Sequence, residues 1–294
     1  MTTRKPISLR SFLLAVLAAS PLPFLGAPLH AQADPAAQLA YARAASERHP
    51  ENADSTIWYG RRAGYSGAFA EAVAIYTEGL RRHPDEPRLL RHRGHRYLSL
   101  RDFPRAIADL ERARTVVAGR PDQVEPDGQP NARGIPTSTL HSNIRYHLAL
   151  TYFVSGDFAR ALTVWAEDVR LAPNVDSRVA STYWWVLTLA HLDRHAEART
   201  ALDALRADWD VIENGSYHRA LLWMKGELAE SALLPASASA LERQTVGNGV
   251  GQWHAAHGRT AQARAAWEAV LASGPSASFG FISAEQSMRR AGGR

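Results

Sequence analysis

Histidine is the first residue type in this chain that could carry chemistry. His92 and His95 stand three apart, and His141 and His147 follow. A metal site needs three or four converging donors, as in His-Glu-x-x-His. No such string occurs, and Arg91, Arg93 and Arg96 surround the first pair, which disfavours a cation. The reading is structural histidines and no metal. Glu125 and Asp127 have the spacing of an acid–base pair, but a polar surface loop explains them equally. There is no Gly-x-Ser-x-Gly elbow and no cysteine at all. The glycine-rich run Gly247 to Gly251 follows no strand, so it reads as a close helix contact and not as a phosphate loop. No catalytic residue and no cofactor is expected. What remains is binding. Arg61, Arg88 and Arg91, with Tyr65, His95, Asn131, Asn143 and Tyr146, supply cationic, aromatic and amide groups. Guanidinium groups take carboxylates two-pronged, so these residues suit an anion.

The elements that must position them follow a period of 34. Gly60 and Gly94, Phe69 and Phe103, and Ala72 and Ala106 are each 34 apart, as are Pro50 and Pro84, each preceded by His. That is the period of the tetratricopeptide repeat (TPR), a helix–turn–helix unit. Gly156 and Gly258, Ala161 and Ala263, Trp165 and Trp267, and Pro173 and Pro275 are 102 apart, or three periods. The weakly matching middle therefore holds two repeats' worth of chain, with a degenerate one over 213–243. The predicted fold is all-α: a TPR α-solenoid of about five helical hairpins, with a leading helix and a C-terminal capping helix, over 34–290. Tyr76, Trp165 and Trp267 fall at one repeat position and are expected in the core. An insertion over 119–139 holds four prolines. It cannot be helix, and it is too long for an ordinary connection. Residues 291–294 read as a frayed tail.

Residues 1–33 read as a signal peptide: Arg4, Lys5 and Arg10, an apolar run Phe12 to Ala19, then Ala31-Gln32-Ala33. Cleavage after Ala31 is the alternative site. The run is shorter than the roughly 20 residues of a membrane span, so an exported chain, periplasmic or secreted, with no membrane span after cleavage is expected. The whole chain has 34 Lys+Arg and 29 Asp+Glu. Three of the basic residues and none of the acidic ones lie in 1–33, which leaves 31 against 29. A chain so near neutrality is not expected to bind nucleic acid.

In a TPR hairpin the first helix faces the concave side. Helical register puts Ile57, Arg61 and Tyr65 of repeat 1 there, then Arg88, Arg91, His95 and Ser99 of repeat 2, and Asn143, Tyr146 and Phe153 of repeat 3. Trp184 also falls where it could reach that side. Asn131 and Thr139 mark where the insertion meets the groove. The arginines are expected to gather without nearby acids. Longer strings carry a further likeness: Arg91-His92-Arg93-Gly94-His95-Arg96-Tyr97, Glu125 to Asn131, Pro136 to Leu140, Tyr217-His218-Arg219, Lys225-Gly226-Glu227 and Gly249 to Trp253. Over nearly the whole mature chain these resemble a group of bacterial exported TPR proteins. The resemblance implies an α-solenoid outside the cytoplasm and assigns no activity. The expected function is a non-enzymatic scaffold that binds a protein or peptide, an acidic one suiting the basic groove. The alternative is a small-molecule binder or enzyme whose pocket is closed by the 119–139 insertion over repeats 2 and 3. An insertion folded into the groove favours the pocket.

Overall fold

The computed structural model describes residues 34–292 apart from 127 and 275. The signal-peptide reading, Asp127, Pro275 and the last two residues lie outside that description. From Pro35 onward the chain is one compact unit. Thirteen helices follow one another among the described residues: α1 (Pro35–Arg48), α2 (Ala53–Tyr65), α3 (Phe69–Arg82), α4 (Pro87–Ser99), α5 (Phe103–Val117), α6 (Leu140–Ser155), α7 (Phe158–Arg170), α8 (Val175–His191), α9 (His195–Asp203), α10 (Gly215–Lys225), α11 (Ala240–Ala256), α12 (Thr260–Leu271) and α13 (Phe279–Gly292). The only extended pairing among them is a single antiparallel bridge, Val124 with Thr139. None of these helices is long and apolar enough to cross a membrane.

Local chemistry sets the helix ends. Asn52, Asp102, Asp157 and Asn174 accept a backbone N–H in the first turn of α2, α5, α7 and α8, which satisfies donors the helix itself leaves open. Thr139 with Ser142, and Ser239 with Glu242, form reciprocal capping boxes on α6 and α11. The hairpins then close through small-against-large contacts. A Cβ on Gly60 would stand 2.3 Å from the Tyr76 ring, and one on Gly251 2.3 Å from the Trp267 ring. Those rings, with Trp165, are buried as expected.

The hairpins α2/α3, α4/α5, α6/α7, α8/α9 and α11/α12 are complete, and α1 leads them. The degenerate repeat keeps its first helix, α10, but only a short 3-10 turn, Glu230–Ala232, replaces the second. Successive first helices touch one another, α2 with α4, α4 with α6 and α6 with α8, which puts them on the inner side of the curve. Helix α13 extends through Gly292, so residues 291 and 292 continue the helix where a frayed tail was expected. It does more than cover the last repeat. It packs on α11 and α12 and also on α6, with the Phe279 ring 5.4 Å from His95 and 5.6 Å from His147. Helix α13 therefore lies against the inner helices of repeats 2 and 3.

Candidate functional site

Helices α2, α4 and α6, the insertion and the loop before α10 build most of a cavity of about 210 Å³ on the inner side of repeats 1 to 3. Helix α2 supplies Arg61 and Tyr65, one turn apart. Helix α4 supplies Arg91 and His95 one turn apart, with His92 and Arg96 beside them, and α6 supplies Asn143. The insertion closes the cavity from outside with Glu125, Pro126, Thr137 and Ser138, and the loop before α10 adds Glu213 at the edge.

The insertion is strapped down at both ends. Arg61 Nη1 donates to the Pro126 carbonyl at 2.6 Å and Arg62 Nη1 to that of Gly128 at 3.3 Å. Gly128 lies so near Tyr65 that a Cβ there would stand 2.3 Å from the hydroxyl. Further along, Asn131 Nδ2 and Thr137 Oγ1 donate to the Glu213 carboxylate at 2.7 and 2.6 Å. Asn174 and Ser177 donate to the Thr137 carbonyl. The Glu213 loop is itself fixed from α8: the buried Asp176 carboxylate accepts the backbone N–H groups of Ile212, Glu213 and Asn214 at 2.7, 2.8 and 3.0 Å.

Glu125 is the centre of the strap. It is only 7% exposed. Its carboxylate accepts from Asn143 Nδ2 at 2.5 Å, pairs with Arg91 Nη2 at 3.3 Å and lies 3.5 Å from His92 Nε2. The arginines were expected to gather without acids; the acid arrives from the insertion, far off in sequence. One guanidinium is thereby matched. Arg61 and Arg96 have no carboxylate partner among the described residues; Arg61 is held over the Trp58 ring at 4.6 Å and Arg96 over Phe69 at 5.4 Å. Burial, with Arg91 and Arg61 nearby, pushes Arg96 down to about 10. Burial first and Arg91 second hold His92 and His147 well below the ordinary histidine range, and burial and Arg96 do the same to His95. These rings are neutral near pH 7 and leave the positive charge to the arginines.

Of the residues expected at the groove, the structure brings Arg61, Tyr65, Arg91, His95 and Asn143 to one cavity. Arg88 is not among its walls. It binds Glu86 at 2.8 Å and also pairs with Asp54, because it sits at the first turn of α4, where Glu86 caps the helix. Tyr146 turns into the core: its hydroxyl lies 3.2 Å from that of Tyr217 and accepts from Trp184 Nε1 at 2.9 Å. Trp184, expected to reach the inner surface, is fully buried, as is Phe153, while Ile57 and Ser99 are nearly so. Asn131 anchors the insertion to Glu213 and lies off the cavity. Sequence reasoning missed Arg96, Ser138 and Glu213 and set Glu125 aside as a loop acid. Arg96 was legible as the neighbour of His95 on an inner helix; Glu213 left no local signal.

A tetratricopeptide-repeat family profile matches residues 60–123. No curated protein sequence matches the chain. Among solved structures, a tetratricopeptide repeat protein from Parabacteroides merdae shares 15% identity over 87% of this chain and 93% of its own, with a TM-score of 0.50. YrrB, described as a TPR protein with an unusual peptide-binding site, shares 14% over 84% of this chain and 97% of its own, at 0.43. BtubC from P. vanneervenii shares 15% over 81% and 87%, at 0.46. The likeness to the first is one of fold. Such repeats generally serve as interaction scaffolds and not as catalysts. The 34-residue period, the paired helices and the matched segment make this chain an α-solenoid of tetratricopeptide repeats.

Proposed function

We propose that this chain is a non-enzymatic, exported binding module whose inner surface takes a short carboxylate-bearing ligand, either a free acid or the end of an acidic peptide. One observation carries the reading: Arg61, Arg91 and Arg96 line a single cavity of about 210 Å³, and of the three only Arg91 pairs with a carboxylate among the described residues. Partly buried cations with unmatched charge favour an anion, more strongly at low ionic strength. A long extended peptide fits less well, since the insertion lies over α2 and α6 and α13 packs on the inner helices. The pocket form of the site, and not an open groove, is therefore favoured.

Titration calorimetry of the mature chain with succinate and with a short acidic peptide, each against its amide, tests this. Binding of the acids alone, weakened roughly tenfold by Arg61→Gln through loss of a charge-assisted hydrogen bond, is expected, with the melting temperature nearly unchanged. Peptide binding without succinate binding assigns the site to a peptide end. If neither acid binds at low salt, the reading fails. Export rests on the sequence of residues 1–33, and the intact mass of the secreted protein checks it: retention of Met1 would sink it.

A further inference from the structure

Among the described residues, the cavity carries unmatched charge of both signs. Arg91 is matched by Glu125. Arg61 and Arg96 face the cavity with no carboxylate partner among the described residues, their contacts being the Pro126 carbonyl, the Tyr65 hydroxyl, His95 and aromatic faces. Glu213 stands at the exposed edge of the same cavity with no cationic partner among the described residues. Its two oxygens accept one hydrogen bond each, from Asn131 and Thr137, where a carboxylate has about four acceptor sites. Its place is not that of a loose surface side chain, because three N–H bonds to the buried Asp176 fix its backbone. A further donor, the buried Nε of Arg91, has no hydrogen-bond partner among the described residues, and such a group costs free energy until one arrives.

We propose that the cavity binds a free acidic α-amino acid, with its two carboxylates toward Arg61 and Arg96 and its ammonium toward Glu213. This rests on the carboxylate-pocket reading and narrows it. Two guanidinium groups and one carboxylate are neutralised by a ligand with two carboxylates and one ammonium. A monocarboxylic acid leaves one arginine unmatched, and a dicarboxylic acid without nitrogen sets a charge against Glu213. Size agrees. The volume of about 210 Å³ is below the roughly 300–1,000 Å³ of sites for drug-sized molecules. It equals the liquid share of about seven waters. Arg96 stays charged near pH 7 although burial disfavours that charge, and an anion beside it would offset the cost.

Calorimetry on the full mature chain at low salt, with L-glutamate, L-aspartate, glutarate and L-glutamine, tests the assignment without any variant. One of the two acidic amino acids is expected to bind at least roughly tenfold more tightly than glutarate, which lacks the ammonium, and than glutamine, which lacks the second carboxylate. Glu213→Gln, at an exposed position, should then bring glutamate and glutarate together, while Arg96→Gln weakens both. If glutarate binds the native protein as tightly as the better of glutamate and aspartate, this inference is overturned and the carboxylate pocket stands. Absence of binding by all four overturns this inference and restricts the carboxylate pocket to the end of an acidic peptide; if the acidic peptide does not bind either, both readings fail.

Discussion

At the scale of single residues, the cavity wall makes stability depend on pH in a definite direction. His92, His95 and His147 are held well below their ordinary value of 6.5, chiefly by burial. In the unfolded chain each takes up a proton near pH 6.5 and in the fold it does not. Their contribution is therefore fully present above about pH 7 and is lost as pH falls below 6.5, at up to about 1.4 kcal/mol per pH unit for each ring. Asp168 acts the other way. Burial pushes it up to about 6, against the pull of Ser181 and Arg145. Between pH 6 and its unfolded value of 3.8 the folded form binds the extra proton, which offsets about one histidine. Urea unfolding at pH 7.5 and 5.5 should show a clear net loss at the lower pH. A flat or rising profile would mean that the three rings are charged or solvated.

At the scale of elements, the hairpins depend on a small residue facing a ring. Gly60→Leu drives four carbon atoms into space that the Tyr76 ring already fills at 2.3 Å from a Cβ. The expected cost is about 3 kcal/mol from overpacking, only slightly offset by the better helix propensity of leucine. Chemical denaturation reads it, and a change within a few tenths of a kcal/mol would contradict the packing described. The turns between paired helices make a second point. In α2/α3 and α6/α7 the turn residues Gly67 and Gly156 adopt φ of 85° and 89°, but Arg101 takes the equivalent place at 63°. A left-handed backbone is costly for a side chain of that kind. Arg101 uses its side chain to hold Glu285 and the Ser276 carbonyl, each at 2.9 Å, so the strained turn also fastens the start of α13.

At the scale of the whole molecule, α13 alters how the repeats are coupled. Repeat proteins are stabilised mainly between nearest neighbours. Here α13 joins the last hairpin to α6, and Arg290 Nη1 donates to the Val154 carbonyl at 2.6 Å. Ile282 is fully buried in the cluster that also holds Leu148 and Trp165. Ile282→Ala should cost about 2–5 kcal/mol, as comparable core truncations do. More tellingly, amide exchange in α6 should speed up together with that in α11 and α13. Exchange confined to α11 through α13 would show that the last helix is only a cap.

The sequence by itself determined the repeat: its period, its paired helices, the glycines at helix contacts, the buried Tyr76, Trp165 and Trp267, and the single degenerate unit. These follow from local spacing, because a helical hairpin repeats its contacts every 34 residues and marks its ends with caps and prolines. Register on α2, α4 and α6 was enough to bring Arg61, Tyr65, Arg91, His95 and Asn143 toward one side. It could not show that Arg88 is taken by Glu86 and Asp54, or that Tyr146 turns inward to Tyr217, since 3.6-residue geometry gives a direction and not a partner. Only the tertiary structure decided that Glu125 descends beside Arg91, that Glu213 stands at the cavity edge and that α13 returns to α6. Those contacts join segments from 34 to more than 100 residues apart. An irregular insertion has no period from which its path could be read; side-chain hydrogen bonds from other repeats fix where it lies.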